Sequence, residues 1–105
     1  MSDTIFSRII DGEFGTEFIY EDDICVAFRD INPKEKTHLL IVPKKPIPSI
    51  MEADESDEFL LGHLLFVCKK IGEMLKLPGY QLKINVGEHG GQEIFHLHIH
   101  LLSKF

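Results

Sequence analysis

Three histidines occupy alternate positions in "HLHIHLL", His96 to Leu102, with an apolar residue after each. Successive side chains of a β-strand point to opposite faces, so His96, His98 and His100 would share one face and Leu97, Ile99 and Leu101 the other. The apolar face can anchor a strand in a core, which leaves the imidazoles on a face expected to lie outside it. Imidazole, with an ordinary pKa of about 6.5, acts as nucleophile, acid or base near neutral pH. Metal binding is its other common use. On a straight strand, however, the outer two histidines have Cα atoms roughly 13 Å apart, while zinc needs ring nitrogens to converge at about 2.0–2.1 Å. The pattern therefore favours nucleophilic and proton-transfer chemistry. Just before it lies the loop "GEHGGQ", where glycines let backbone N–H groups approach a phosphate, with Gln92 as a neutral side-chain donor.

The rest of the chain must position this strand. With 105 residues, 44% hydrophobic and 27% charged, the composition suits one domain, residues 1–105, with its own core and argues against disorder. A net charge of −6 speaks against binding nucleic-acid backbones, which takes clustered Lys and Arg; an anionic ligand must be held by a local site. No apolar run reaches the roughly 20 residues of a bilayer span, and "MSDTIFSRII" has no basic region followed by an apolar stretch. The expectation is a cytoplasmic protein without membrane contact. Cys25 and Cys68 sit singly among apolar neighbours and read as buried, reduced thiols.

Periodicity supplies the elements. "DTIFSRIIDG" spaces Ile5, Phe6, Ile9 and Ile10 as a short helix over residues 3–11, stopped at Gly12. "EFIYEDDICVAFRDI" reads as two short strands around a polar turn at residues 21–23, and "THLLIVP" as a third strand. The prolines of "PKKPIPS" make a stiff connector. From about Asp54 to Lys76 an apolar stripe (Leu60, Leu61, Leu64, Leu65, Cys68, Ile71, Met74, Leu75) predicts a long helix whose acidic first turns suit the helix dipole. His63 falls in it as a packing histidine. "YQLKINV" and "EIFHLHIHLL" complete an α+β fold: a mostly antiparallel five-stranded sheet, one long helix over one face and a short N-terminal helix.

The signature His-apolar-His-apolar-His-apolar-apolar resembles that of the histidine triad (HIT) family. The likeness extends in order through "DTIFSRII", "YEDDICVAFRDINP", "THLLIVPKKPI", "LLGHLL", "GYQLKINVG" and "GGQEIFHLHIHLL", segments similar to the nucleoside phosphoramidase (Hint) branch. The resemblance implies a hydrolase that cleaves the P–N bond of purine nucleoside 5′-phosphoramidates, releasing AMP or GMP through a nucleotidyl-histidine. It implies His98 as nucleophile and His100 as its phosphate-binding neighbour, with His96 and His38 orienting the triad and relaying protons. It places Asn85, Gly91 and Gln92 on phosphate, Asp30 on the ribose hydroxyls, and Ile5, Phe6, Ile9, Phe28, Ile31 and Leu40 around a purine base. Glu93, where relatives often carry a leaving-group Ser, is assigned to substrate handling. On the residues alone, Asp30 is a turn acid and the apolar set would pass for core.

Many relatives hold a structural zinc with a Cys-x-x-Cys and a later His; Thr4, Ser7 and Pro46 stand at those positions here, so neither metal nor cofactor is expected. The resemblance also implies a two-fold homodimer. Two other functions fit the same strand: a dinucleoside polyphosphate hydrolase, and a nucleotide-binding interaction module whose catalysis is incidental.

Overall fold

The computed structural model describes residues 4–105. Its elements run α1 (Ile5–Ile10), β1 (Tyr20–Glu21), β2 (Cys25–Arg29), β3 (Thr37–Pro43), two single 3-10 turns at Ile50–Glu52 and Glu55–Asp57, α2 (Glu58–Met74), β4 (Gln81–Lys83), a 3-10 turn at Glu88–Gly90, and β5 (Ile99–Ser103). The five strands form one antiparallel sheet in the order β1-β2-β3-β5-β4. The expected α+β class and five-stranded sheet are therefore what the molecule adopts.

Strand alternation divides the buried residues into two sets. Cys25, Ala27, Leu39, Ile41, Ile99 and Leu101 pack with Leu64, Val67, Cys68 and Ile71 of α2. On the other face Val26, Phe28, Leu40 and Val42 pack with Phe6 of α1. Both cysteines are free and buried, as their apolar flanks suggest. Gly72 of α2 lets Tyr80 approach so closely that a Cβ there would lie 2.5 Å from the ring.

The short helix, expected over residues 3–11, runs Ile5–Ile10 between the caps Thr4 and Asp11, residue 3 lying outside the described residues; three other boundaries differ more, each for a local reason. The long helix starts at Glu58 rather than near Asp54, because Asp54 caps a separate 3-10 turn by accepting from the Ser56 N–H. Within that acidic run Asp57 is buried and pairs with Lys45 at 2.6 Å, so it pins the proline-rich connector as well as facing the helix start. Strand β4 covers only residues 81–83 of "YQLKINV". The largest difference concerns the histidines: β5 begins at Ile99, so His96, Leu97 and His98 precede the sheet. Beyond Ile41↔Ile99 the ladder stops. The Leu97 N–H instead donates to the Ile47 carbonyl in the connector, and the Pro43 carbonyl is taken by a histidine side chain.

The short helix α1 forms over a strong local cap. Thr4 accepts from the Ser7 N–H, and the Ser7 side chain reaches back to the Thr4 backbone, which satisfies donors that a first turn otherwise leaves open. These are two of the positions at which the resemblance implies zinc ligands in other members. Here they fasten a helix that would be too short to persist alone.

Candidate functional site

Between α1, the sheet face beneath it and the loops after β2 and β4 lies a cavity of about 470 Å³. Its walls include His38, His98 and His100, Asp30, Asn85, Gly91 and Glu93, and the apolar Ile5, Phe6, Ile9, Phe28, Ile31 and Leu40. These residues, scattered over the chain from 5 to 100, are thus brought together. Ile31 stands on the rim, 92% exposed. Two residues from the sequence reading do not line the cavity. Gln92 is buried, its carbonyl oxygen accepting from the Gly87 N–H at 2.8 Å while its amide donates to the carbonyls of Pro48 and Ile94. With its side-chain groups engaged inside the loop, Gln92 is a brace rather than a phosphate donor. The loop's N–H groups at Gly90, Gly91 and Gln92 likewise bond to the carbonyls of Gly87 and Glu88, so the expected phosphate cradle is closed on itself. The left-handed conformation at Gly91, φ 85°, is what allows that tight closure.

His96 is the second exception. It is 1% exposed and lies behind the cavity. A carbonyl can only accept, so His96 Nε2, 2.8 Å from the Pro43 oxygen, carries the proton. Nδ1 is then the acceptor facing Thr4 Oγ1 at 3.4 Å. His96 joins the end of β3 to the start of α1.

The same reasoning fixes the other tautomers. His98 Nδ1 lies 2.7 Å from the His96 carbonyl and must donate to it, which leaves Nε2 as the unprotonated nitrogen of a ring that lines the cavity. The Lys34 N–H donates to His38 Nδ1 at 3.0 Å. His38 therefore carries its proton on Nε2, which faces His100 Nδ1 at 3.0 Å and Asp30 Oδ2 at 3.4 Å. His100 Nδ1 accepts, so the proton of neutral His100 resides on Nε2. One unprotonated nitrogen and one hydrogen-bond donor thus sit on neighbouring rings whose centroids are 5.0 Å apart.

Burial is what keeps these rings neutral. It lowers the pKa of His38, His96 and His98, and pushes His100 down to about 4 with help from His98, His38 and Lys83, against the pull of Asp30. The Asp30 carboxylate accordingly lies beside a neutral ring, 3.4 Å from His38 Nε2, whose proton is directed to His100. The histidine face was expected to lie outside the core, and this is corrected: His98 is 7% exposed, its ring packed edge-on against Phe6 at 4.9 Å. Helix α1 covers the face that the alternation left open. The ring's exposure is to the cavity, not to bulk solvent.

Asp30 divides its carboxylate. Oδ1 accepts from the Asn32 N–H at 2.8 Å, the turn role read from the residues alone, and Oδ2 turns toward His38. Asn85 donates to the Gly91 carbonyl at a long 3.5 Å. Sequence reasoning missed Lys34 and Lys83, which also line the cavity. A signal for Lys83 existed: it lies two residues from Asn85 on a strand-like segment and so shares its face.

Two clusters bring possible metal ligands within 4.8 Å. In Asp30, His38 and His100, the His38 and His100 nitrogens that converge already bond to each other. In Asp22, Cys25 and His63, the Cys25 thiol is pushed up to about 12, chiefly by burial, a poor state for a ligand that must lose its proton. Asp22 there accepts from Tyr20, His63 and the N–H groups of Ile24 and Cys25. His63 thus ties α2 to the β1–β2 turn.

A HIT domain model matches residues 11–105. An uncharacterized HIT-like protein of Synechococcus elongatus is 48% identical over 96% of this chain and 90% of its own. The purine nucleoside phosphoramidase of Escherichia coli is 43% identical over 96% of this chain and 87% of its own. A crystal structure of a HIT family hydrolase from Legionella pneumophila superposes with a TM-score of 0.91 at 41% identity, covering 98% of this chain and 94% of that one. The chain belongs to the HIT domain family and shares the fold of that family's hydrolases.

Proposed function

We propose that the protein hydrolyses purine nucleoside 5′-phosphoramidates by way of a nucleotidyl-histidine at His98. The observation that carries this reading is the tautomer of His98: its Nδ1 proton is held by a backbone carbonyl, and its unprotonated Nε2 belongs to a ring on the cavity wall. Nε2 attacks the α-phosphorus, the P–N bond breaks with its electron pair going to nitrogen, and the amine leaves with a proton drawn from solvent, which the water of the second step returns. Water then cleaves the phosphorus–imidazole bond, which releases the nucleoside monophosphate and restores neutral His98. Two in-line displacements replace one difficult hydrolysis.

The other residues position and stabilise. His100 donates from Nε2 to a phosphoryl oxygen, and the Lys34 N–H, His38 and His100 form the line of hydrogen bonds that sets that donor. His96 aims the nucleophile through its own carbonyl. Asp30 meets the ribose, Asn85 and Gly91 flank the phosphate, and Glu93 handles the departing amine. The apolar walls at Ile5, Phe6, Ile9, Phe28, Ile31 and Leu40 take the base. Every one of these steps uses the chain's own groups, without a metal ion.

The proposal includes a homodimer. Strand β4 is a sheet edge, and Leu82 on it pairs with Leu101, so it faces the α2 side. Leu65 of α2 and Tyr80 beside β4 are exposed as well. A second copy pairing along that edge would cover them. Leu65→Glu combined with Leu82→Glu is expected to convert dimer to monomer in sedimentation; an unchanged mass would remove this surface from the interface.

The deciding assay compares an adenosine 5′-phosphoramidate with diadenosine polyphosphates. Preference for the phosphoramidate is expected; preference for the polyphosphates would move the protein to the neighbouring reaction. Turnover of neither, with AMP still bound, would make it a binding module.

A further inference from the structure

A phosphate in this cavity meets two carboxylates, Asp30 and Glu93, in a chain of net charge −6. It needs a countercharge. The imidazoles do not provide one at neutral pH, since all three that line the cavity are held in the neutral form. The wall does contain cationic side chains that no part of the reaction above employs, those of Arg29, Lys34 and Lys83, and of these Lys83 is the one that strand pairing sets against a histidine. Lys83 lies directly across the β4–β5 ladder from His100. Residues paired in this way project from the same face with Cβ atoms about 4.5–5.5 Å apart, and Lys83 lines the cavity with His98 and His100. Among the described residues it belongs to no ion pair.

We infer that Lys83 is the phosphate-binding cation of this site, placed by strand register beside His100 so that its ammonium meets the anionic oxygens of the nucleotide. The inference rests on the nucleotide reading above and adds a specificity residue to it. Lys83 gives an acidic protein a fixed positive charge at the one place where an anion must enter. Its charge also helps keep His100 unprotonated, so that His100 donates one hydrogen bond from Nε2 and still accepts from His38. The division of labour is plain: the lysine supplies charge, the imidazole direction. His100 faces His98 on its own segment, His38 on β3, Asp30 after β2 and Lys83 on β4, and of these only Lys83 carries permanent positive charge.

The test is calorimetric titration of the full chain with AMP and with adenosine, in the natural protein, Lys83→Met and Lys83→Arg. Lys83→Met is expected to weaken AMP roughly 3- to 30-fold, the range for losing one charge contact of intermediate screening. Adenosine, which has no phosphate, should change by less than about two-fold, and the salt dependence of AMP binding should become shallower. Lys83→Arg should restore most of the AMP affinity, because charge rather than shape is at issue. In the Met variant the acid limb of the activity profile should move to higher pH as His100 gains its proton more easily. Equal losses for AMP and adenosine would show a merely structural role and overturn the inference. So would an unchanged AMP affinity, or a natural protein that binds AMP no better than adenosine. A natural protein that binds neither would remove the nucleotide reading itself.

Discussion

The two faces of the sheet solve the same problem with different materials. On the α2 face, Leu39, Ile41, Ile99 and Leu101 meet Leu64, Val67 and Ile71 with hardly a polar atom. On the α1 face, strands of the same alternation present His38 and His100 among Leu40, Val26 and Phe28, and a helix of six residues is enough to cover them. Hydrocarbon packing tolerates any partner of the right volume. Buried imidazoles do not, because each nitrogen needs a specific donor or acceptor. Among the described residues no buried side-chain nitrogen or oxygen lacks one. The site face is therefore a core in burial but a network in specification, and it leaves one unprotonated ring nitrogen on the cavity-lining rings, Nε2 of His98, with no donor bonded to it.

The sharpest way to separate the faces is to change one residue on each. On the site face, His98→Asn is expected to lower turnover by about 1000-fold or more. Asparagine's amide can still donate to the His96 carbonyl, so the domain should keep a cooperative melt. Turnover within ten-fold of the natural protein would reassign the nucleophile. The next largest effect is on stability. Leu101→Ala on the α2 face should cost about 2–5 kcal/mol, read as a lowered denaturant midpoint, with activity per folded molecule preserved. His96→Ala should cost a similar ~2–4 kcal/mol, because it leaves both a cavity and an unsatisfied Pro43 carbonyl. It should also reduce turnover. A His96 variant as stable as the natural protein would mean that this ring is not part of the network.

The smallest effect comes from pH. The folded-state pKa values of His38, His96, His98 and His100 lie below the ordinary 6.5, that of His100 at about 4. The unfolded chain then binds protons that the folded one refuses, so stability is complete above about pH 6.5 and falls as pH drops toward 4. Asp22 acts in the same direction at lower pH, its carboxyl held below the usual range despite burial by His63, Tyr20 and two N–H groups. Thermal melts between pH 7.5 and 4.5 should show the decline, and His100→Asn should flatten it. A melting temperature indifferent to pH across that interval would contradict the neutral network.

The comparison also shows what could be read from the chain. Periodicity of two and of 3.6 exposed the strands, both helices and the α2-side core, because packing there follows residue type alone. The residues now around the cavity were named in the sequence through their likeness to a family, since Asp30, Asn85 and Ile5 carry no local mark of their shared location. What escaped depended on long-range pairing. That His96 and His98 stand before the strand follows from the Leu97–Ile47 hydrogen bond, which joins segments fifty residues apart. Gln92 resembled a ligand until its amide met Pro48. Lys83 gained significance only from the register that sets it against His100.

The central claim is a bond between His98 Nε2 and phosphorus. It is tested most directly by mixing the protein with an adenosine 5′-phosphoramidate, quenching within a turnover, and locating the trapped adenylyl group by peptide mass spectrometry. A single adduct on the peptide at His98, absent in His98→Asn, is the predicted result. An adduct on His100 or elsewhere, or none while AMP accumulates, would contradict it.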